Sequence, residues 1–571
     1  MTVRAAIAIG ISALLTATAA SAQTQNHSDY DVLIHGGTIY DGSGANPYVG
    51  DVAIKADKIV YVGPHARGIP ARVVDATGEA VSPGFVNMLS WATESLIADG
   101  RGLSDVDQGV TLEVFGEGES MGPLTPKMKR LLVQREGDIK YPIRWTTLAQ
   151  YLDWLTKRGV SPNVASFVGA ATVRVHELGE ADVQPTPAQL VRMRALVRQA
   201  MKDGALGVGS ALIYAPATYA KTPELTALAT EAGKCGGIYI SHMRSEGNKV
   251  LEATDELIRI SRDSGAPAEI YHFKQAGQAN WPKIDPMIAR MNAARAAGQR
   301  ITANMYTYTA GATGLDAAMP PWVQSGGLEE WFRRMQDPQV RARVIQEMQS
   351  PQTEWENFLR LAGGAQNVLL VSFKNPKLKP LTGKTLAEVA KMRGKSPEET
   401  AIELVSEDDS RVGTIYYLMS EDNVRREIAL PWMSFGSDEG APAPAGVFLE
   451  SKSHPRAYGN FARVIGHYVR EGDLTLPDAI HRLSWLPATN LGLRGRGALL
   501  PGYYADVVVF DPKTVEDHAT YEKPDQLATG VRDVFVNGVQ VMKDGVHTGA
   551  KPGRVVRGPG WTGWPGGGAC K

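Results

Sequence analysis

The sequence predicts an α/β fold: a (β/α)8 barrel with a small β-sandwich domain built from both chain ends. Three observations carry this. Short apolar segments alternate with helical ones at a period of roughly 30 residues through the middle of the chain. Both ends instead carry short strands divided by Gly, Asp and Pro. Residues able to do chemistry fall where predicted strands end, the face on which barrels gather their sites. An open, doubly wound sheet gives nearly the same local signal.

Residues 1–22 have the grammar of an export signal. Arg4 supplies the positive start, 5–15 the apolar run, and Ala20-Ser21-Ala22 the small-residue cleavage pattern before Gln23. The run is short for a membrane span, and no later stretch looks long and apolar enough to make one. The expectation is a protein secreted across the inner membrane, periplasmic, without a stable span. Residues 23–80 read as the first part of the β domain, with strands at 31–34, 38–40, 51–54, 58–62 and 72–75. Residues 81–485 read as the barrel, opening with buried strands at 81–86 and 110–115. Thr186 caps a helix over 187–201, with Pro187 at its first position. A strand near 204–212, a helix over 223–236, a strand at 237–241 and a helix over 249–264 follow. Strand 268–272, helix 284–297, strand 301–306 and a late strand at 432–437 complete the series. The rhythm fails between 311 and 430, where Pro/Trp-rich turns, a charged helix at 340–349 and a helical region at 385–410 occur. That stretch reads as an inserted lid, or as helical padding around the barrel. Residues 486–545 return to the β domain, and the Gly/Pro-rich 546–571 reads as an extended or disordered arm.

At 571 residues the chain can hold a large domain and a smaller companion. Lys+Arg 60 against Asp+Glu 61 leaves a net charge of −1, which argues against nucleic-acid binding by bulk charge. Cys235 and Cys570 are too few for a disulfide framework. Cys235, just before a buried strand, reads as a core thiol, with a bridge to Cys570 as the alternative. No Walker loop, dinucleotide fingerprint, HExxH or nucleophile-elbow motif with its strand–turn–helix context is present.

Histidine is scarce, at 11 residues, yet His242 and His272 each end a predicted strand, and the two strands are consecutive. Two imidazoles so placed suit one zinc-like ion; satisfied core histidines fit the same periodicity. Asp438 also ends an apolar strand, where a buried charge is costly unless paired. It suits proton transfer beside a metal, or capping of the segment that follows. In Leu112-Glu113-Val114-Phe115-Gly116-Glu117-Gly118-Glu119-Ser120, a strand becomes a Gly-rich acidic loop. Glu117 and Glu119 are candidate ligands; a solvated loop is the simpler alternative. Tyr239, Arg244, Tyr271 and Lys274 surround the histidines. Arg244 or Lys274 is a candidate anchor for a substrate carboxylate, unless each only pairs with Glu246 or Glu269.

The text Asp31-Val32-Leu33-Ile34-His35-Gly36-Gly37-Thr38, Pro83-Gly84-Phe85 and Gly204-Ala205-Leu206-Gly207 is followed by Ala211-Leu212-Ile213-Tyr214-Ala215-Pro216. Ser241-His242-Met243-Arg244-Ser245-Glu246-Gly247, His272-Phe273-Lys274, Asn280-Trp281 and Tyr306-Thr307-Tyr308 come next. Gly436-Ser437-Asp438, His454-Pro455-Arg456 and Ala505-Asp506-Val507-Val508-Val509-Phe510-Asp511-Pro512 close the series. As a set these resemble the metal-dependent amidohydrolase superfamily, in its D-aminoacylase (N-acyl-D-amino-acid deacylase) branch, over most of the mature chain. The resemblance implies a distorted (β/α)8 barrel, a β-sandwich from both ends and an inserted lid. It also implies that His242 and His272 are metal ligands and Asp438 the catalytic acid/base. His454 is assigned no chemistry.

One departure matters. The family carries an aspartate and a His-x-His pair after the first barrel strand, where this chain has Asn87, Leu89 and Trp91. Its usual cysteine ligand after the second strand is replaced within Glu117-Gly118-Glu119. The outer metal position is therefore lost and its place made apolar by Leu89 and Trp91. The inner position is held by His242, His272 and Glu117 or Glu119. The resulting expectation is an exported, mononuclear-metal amide hydrolase using one divalent ion, Zn2+, and metal-activated water, with Asp438 as general base and acid. Its default substrate is an N-acyl-D-amino acid, with Arg244, Lys274, Tyr239, Tyr271, Trp91 and Tyr306 as substrate contacts. A dipeptidase, a broad aromatic or acyl amidase, and a non-catalytic periplasmic binding protein are the alternatives. The partner is a small-molecule amide, and homo-oligomerisation is left open.

Overall fold

The computed structural model describes residue 2 and residues 28–351 and 354–570. The export signal expected at 1–22 lies outside the described residues, apart from residue 2.

Both chain ends meet in one mixed, nine-stranded sheet. Val32–Ile39 pairs antiparallel with Tyr48–Lys55 and parallel with Ala80–Pro83, which in turn pairs antiparallel with Val507–Phe510. Val531–Val536 and Val539–Lys543 extend it. The alternation of Val, Ile and polar residues sets a buried face that includes Ile34, Val52, Ile54, Val507 and Val509.

The segment expected as one strand at 81–86 is two. Ala80–Pro83 belongs to the end sheet, and after Gly84 the chain enters β1, Phe85–Asn87. A Cβ on Gly84 would lie 2.1 Å from Thr111 Oγ1, so only glycine lets the chain cross between layers there. β2 is Val110–Phe115, and β3 is Asn163–Ser166 with its continuation Val168–Gly169. β4 is Gly207–Ala211, β5 Ile238–His242, β6 Ala268–Ile270, β7 Ile301–Met305 and β8 Met433–Phe435. Each neighbouring pair from β1 to β8 runs parallel. Beyond the ends of β1 and β8, Met88 N–H donates to Phe435 O at 3.1 Å and Asp438 N–H to Leu89 O at 2.8 Å. β3 carries only polar or small residues at three of its first four positions, Asn163, Ala165 and Ser166, which is why its pattern gave no strand signal.

The connecting helices carry readable start and stop signals. Thr186 and Gln189 form a reciprocal cap on Pro187–Lys202, and Gly265 ends Val250–Ser264 in a left-handed conformation. The 311–430 stretch builds its own small core, including Trp331, Val344, Leu370 and Tyr416, around three antiparallel strands. The helical region expected at 385–410 is split into Leu386–Arg393 and Pro397–Asp408 by Gly394 and a new cap at Ser396.

The C-terminal arm is neither extended into solvent nor loose. Val555 forms a parallel bridge with Val164, Gly558 N–H donates to Gly204 O and Thr562 N–H to Lys202 O. Cys570 is joined to Cys235 by a disulfide, so Cys235 is a bridge partner, not a free core thiol. Glycine at 553 and 558 is what permits this: a Cβ there would come within 2.0 Å and 2.3 Å of backbone carbonyl oxygens.

Candidate metal centre

The strand ends after β1, β2, β5, β6 and β8 converge on a cavity of about 840 Å3. Along β5, Ile238 and Ile240 pack into one buried cluster with Val86, Leu112 and Val114 of the neighbouring strands, so the period of two sends His242 to that face as well. Tyr239 has the opposite parity. It faces the outer layer, with its hydroxyl 2.7 Å from Ser210 Oγ, and does not line the cavity. In β6 the parity runs the other way: Ile270 packs outward and Tyr271 inward against Phe167. Tyr271 is thus packed in the buried cluster between the strands and does not line the cavity. His272 would follow outward, but its backbone has φ +35°, in the left-handed region, which breaks the alternation. Its N–H is held by Asn304 Oδ1 at 3.0 Å.

Glycine performs the corresponding turn after β2. Gly116, at φ +107° and pressed against Phe167 O, lifts the chain so that Glu117 reaches the histidines. Glu117 Oε1 is 3.1 Å from His242 Nδ1 and 2.8 Å from His272 Nε2. One ligand atom from each of the three lies within 4.8 Å of the others, and all three residues are buried. Among the described residues this is the one such cluster, and its Glu/His/His donors make a divalent-metal site. Glu119 is exposed on the cavity wall, outside that cluster. Glu113, the remaining carboxylate of the run, turns away and meets Asn87 Nδ2 at 3.1 Å.

Glu246, four residues beyond His242, was named from sequence only as a pairing alternative for Arg244 or Lys274, and it does pair with Lys274. Its Oε1 is 2.9 Å from His272 Nδ1 and accepts from Lys274 Nζ at 2.7 Å. Lys274 Nζ is also 2.7 Å from His272 Nδ1, so Glu246 and Lys274 together fix the orientation of the ring. Lys274 lines the cavity but is committed to this pair. Burial and Lys274 push the His272 pKa down, yet Glu246 and Glu117 outweigh them and lift it to about 9. Burial raises the Glu117 and Glu246 carboxyls, but the histidines, and for Glu246 also Lys274, hold both well below the ordinary range.

Asp438 sits across from this cluster with φ +53°, a second non-glycine residue in a costly backbone region. Its Oδ2 is 2.9 Å from Arg456 Nη2, which also donates to the Asp438 carbonyl at 2.7 Å. Burial raises the Asp438 pKa, and Arg456 partly offsets it. Arg456 was missed in the sequence. It is 1% exposed, lies 4.3 Å over the Tyr306 ring and lines the cavity, and its Nε and Nη1 have no hydrogen-bond partner. His454 serves it structurally, accepting Arg456 N–H at Nδ1 and facing Ala310 O with Nε2.

Arg244 does not enter the cavity. Its guanidinium is turned to the outside, bonded to Glu256 at 2.8 Å and to the carbonyls of Thr218 and Ala220. Trp91 does line the cavity, but not as an apolar plug. Its Nε1–H donates to Glu117 Oε2 at 3.0 Å and Asp438 Oδ1 at 3.2 Å.

A model described as the amidohydrolase family matches residues 72–542. D-aminoacylase from Alcaligenes xylosoxydans xylosoxydans is 32% identical over 532 residues, covering 92% of this chain and 97% of that protein. Among solved structures, a D-aminoacylase with a binuclear metal centre, described by one-metal activation and second-metal attenuation, aligns at TM-score 0.76. It is 30% identical and covers 92% of this chain and 100% of its own. N-acyl-D-glutamate deacylase from Bordetella bronchiseptica, complexed with zinc and a phosphonate mimic of the tetrahedral intermediate, aligns at 0.74. It is 28% identical, over 92% of this chain and 99% of its own.

Proposed function

Since the chain belongs to the amidohydrolase family, in its D-aminoacylase-like branch, and is a metal-dependent hydrolase of amide bonds, we propose that it deacylates N-acyl-D-amino acids. The observation that carries the substrate reading is Arg456. A guanidinium buried beside Asp438 on the cavity wall, with nitrogens left unpartnered, calls for an anionic ligand group. The free carboxylate of an N-acyl amino acid supplies one. Leu124, Met128, Leu132, Ile139, Val447 and Phe448 give the same cavity an apolar wall for the acyl group or side chain.

The residues present fit a metal. Glu117, His242 and His272 are two imidazoles and a carboxylate converging at hydrogen-bond range, with His242 Nδ1 and His272 Nε2 both turned to Glu117 Oε1. That donor set suits Zn2+, the ion we propose. When bound, it would supply Lewis acidity to the amide carbonyl and lower the pKa of water. Asp438 takes the proton from the attacking water and returns it to the departing nitrogen. Arg456 holds Oδ2 of Asp438, Oδ1 accepts the Trp91 N–H at 3.2 Å and keeps a second lone pair for that transfer, and burial makes the carboxylate a stronger base than in water. Lys274 and Glu246 hold His272 in orientation.

Two further readings belong to the proposal. Residues 85–485 form a closed barrel, a reading supported by the Met88–Phe435 hydrogen bond between the ends of β1 and β8. Residues 28–83 and 486–545 form the companion domain. Residues 1–22 direct export to the periplasm; the Cys235–Cys570 bridge, which persists in oxidising compartments, supports this. Among the described residues no helix is long and apolar enough to cross a membrane.

The test is turnover of N-acetyl-D-amino acids, their L-enantiomers, their methyl esters, and dipeptides, with and without chelator. Cleavage of the D-acids, lost in the esters and on chelation, is expected. Equal turnover of acids and esters would overturn the Arg456 reading, and preference for L-acids or dipeptides would overturn the substrate class.

A further inference from the structure

The indole of Trp91 stands between the metal-ligand cluster and Asp438. One N–H is shared by two carboxylates from different strand ends, Glu117 Oε2 and Asp438 Oδ1. The backbone fixes this meeting. Trp91 N–H donates to Glu439 O at 2.8 Å, and Asp438 N–H donates to Leu89 O at 2.8 Å. The segments after β1 and β8 are therefore stitched on both sides of the contact. Ser90 and Glu439 form a parallel bridge within the same stitch.

Two carboxylates that face a common point require a cation or a donor there. Here the point is taken by an indole N–H, which donates and has no lone pair to offer a metal. Leu89, two residues earlier, is 1% exposed and has no ligand atom. The remaining oxygen of Asp438, Oδ2, is engaged by Arg456. A second ion beside the Glu/His/His site would meet a donor hydrogen and a guanidinium.

We propose that Trp91 is a positioning residue that takes the place of a second cation: it aligns Glu117 and Asp438 on one donor and limits the centre to a single ion. This rests on the reading of Glu117, His242 and His272 as the metal ligands. It makes Trp91 responsible for the aim of Asp438 Oδ1, the oxygen assigned to proton transfer. It also makes the centre indifferent to excess metal.

The experiment counts cobalt(II) on the metal-stripped full chain, by metal analysis after gel filtration and by the visible spectrum of the bound ion. The wild-type protein takes one equivalent, and excess cobalt leaves its turnover unchanged. Trp91→Phe, which keeps the ring and deletes the donor, also takes one equivalent. Its kcat falls about ten-fold with KM nearly unchanged, the scale of one hydrogen bond to a charged group. Leu89→His combined with Trp91→His takes a second equivalent and becomes sensitive to excess cobalt. Two equivalents on the wild-type chain, one on the double variant, or a wild-type kcat in Trp91→Phe would each overturn the proposal. The cobalt counts need no substrate. If no N-acyl-D-amino acid is cleaved and the counts stand at one and two, the substrate assignment falls and the metal-limiting role of Trp91 survives.

Discussion

Replacing Asp438 by Asn tests the chemistry at its centre, and the structure sets the size of the effect. The carboxylate has two jobs. As a proton carrier its loss removes a general acid/base, a contribution of about 10²- to 10⁴-fold, or roughly 3–5 kcal/mol of barrier. As an acceptor it faces donors on both oxygens: Trp91 Nε1–H at Oδ1 and Arg456 Nη2 at Oδ2. An asparagine can satisfy only one of these, since its NH2 must point at the other donor. That mismatch costs about 1–3 kcal/mol of stability, and Arg456 loses its buried counter-charge as well. Metal content is expected to stay at that of the wild type, because Asp438 is not among the Glu117, His242 and His272 ligand atoms. The assays are steady-state kinetics on an N-acetyl-D-amino acid, metal analysis and thermal unfolding of the same preparation. A kcat within about ten-fold of wild type would refute the assigned role. Loss of the metal together with the activity would refute the separation of ligands from acid/base.

Other perturbations probe separate parts of the argument. Arg456→Lys keeps the charge but not the planar guanidinium, so KM for carboxylate substrates should rise by about ten-fold or more; an unchanged KM would remove Arg456 from substrate binding. Asp107 is buried with Oδ2 unpartnered, and burial raises its pKa to about 7. The folded protein therefore keeps a proton that the unfolded chain has released. Stability from this group is full below about pH 4 and falls by about 4 kcal/mol as pH rises to about 7. Asp107→Asn should flatten that part of the stability curve in denaturant titrations at pH 4, 5.5 and 7.5; a slope equal to wild type would show that the group is not protonated in the folded state. Cys570→Ser should lower unfolding stability by about 2–4 kcal/mol and make it insensitive to reductant. Equal midpoints for this variant and the wild type under oxidising conditions would mean that the bridge adds nothing.

What the sequence could reveal followed from periodicity. β2 and β5 were legible because each is rich in β-branched and aromatic residues, and the ends of β5 and β6 delivered His242 and His272 to the cavity. Residue parity was not used as far as it goes. Tyr239 alternates with His242 along β5 and had to face the helices, whereas Tyr271 could be placed only once the kink at His272 was known. Glu117 and Glu119 are equivalent in spacing; the turn at Gly116, a three-dimensional fact, separates them. Arg244 looked like an anchor because it follows His242 by two, but its partner Glu256 lies on the next helix, out of reach of local reading. Arg456 and Glu246 each stood inside a quoted motif, and the missing signal was a partner far away in the chain. Composition misled at the C terminus: glycines that suggest looseness are there because backbone passes against backbone.

That C-terminal belt has a practical consequence. It contacts Val164, Gly204 and Lys202, residues at or before the starts of β3 and β4, and is tied at Cys235 before β5. The cavity opens where those strands end. A fusion partner, dye or solid support attached through the tail would thus sit under the floor of the molecule, leaving substrate entry unobstructed on the opposite side.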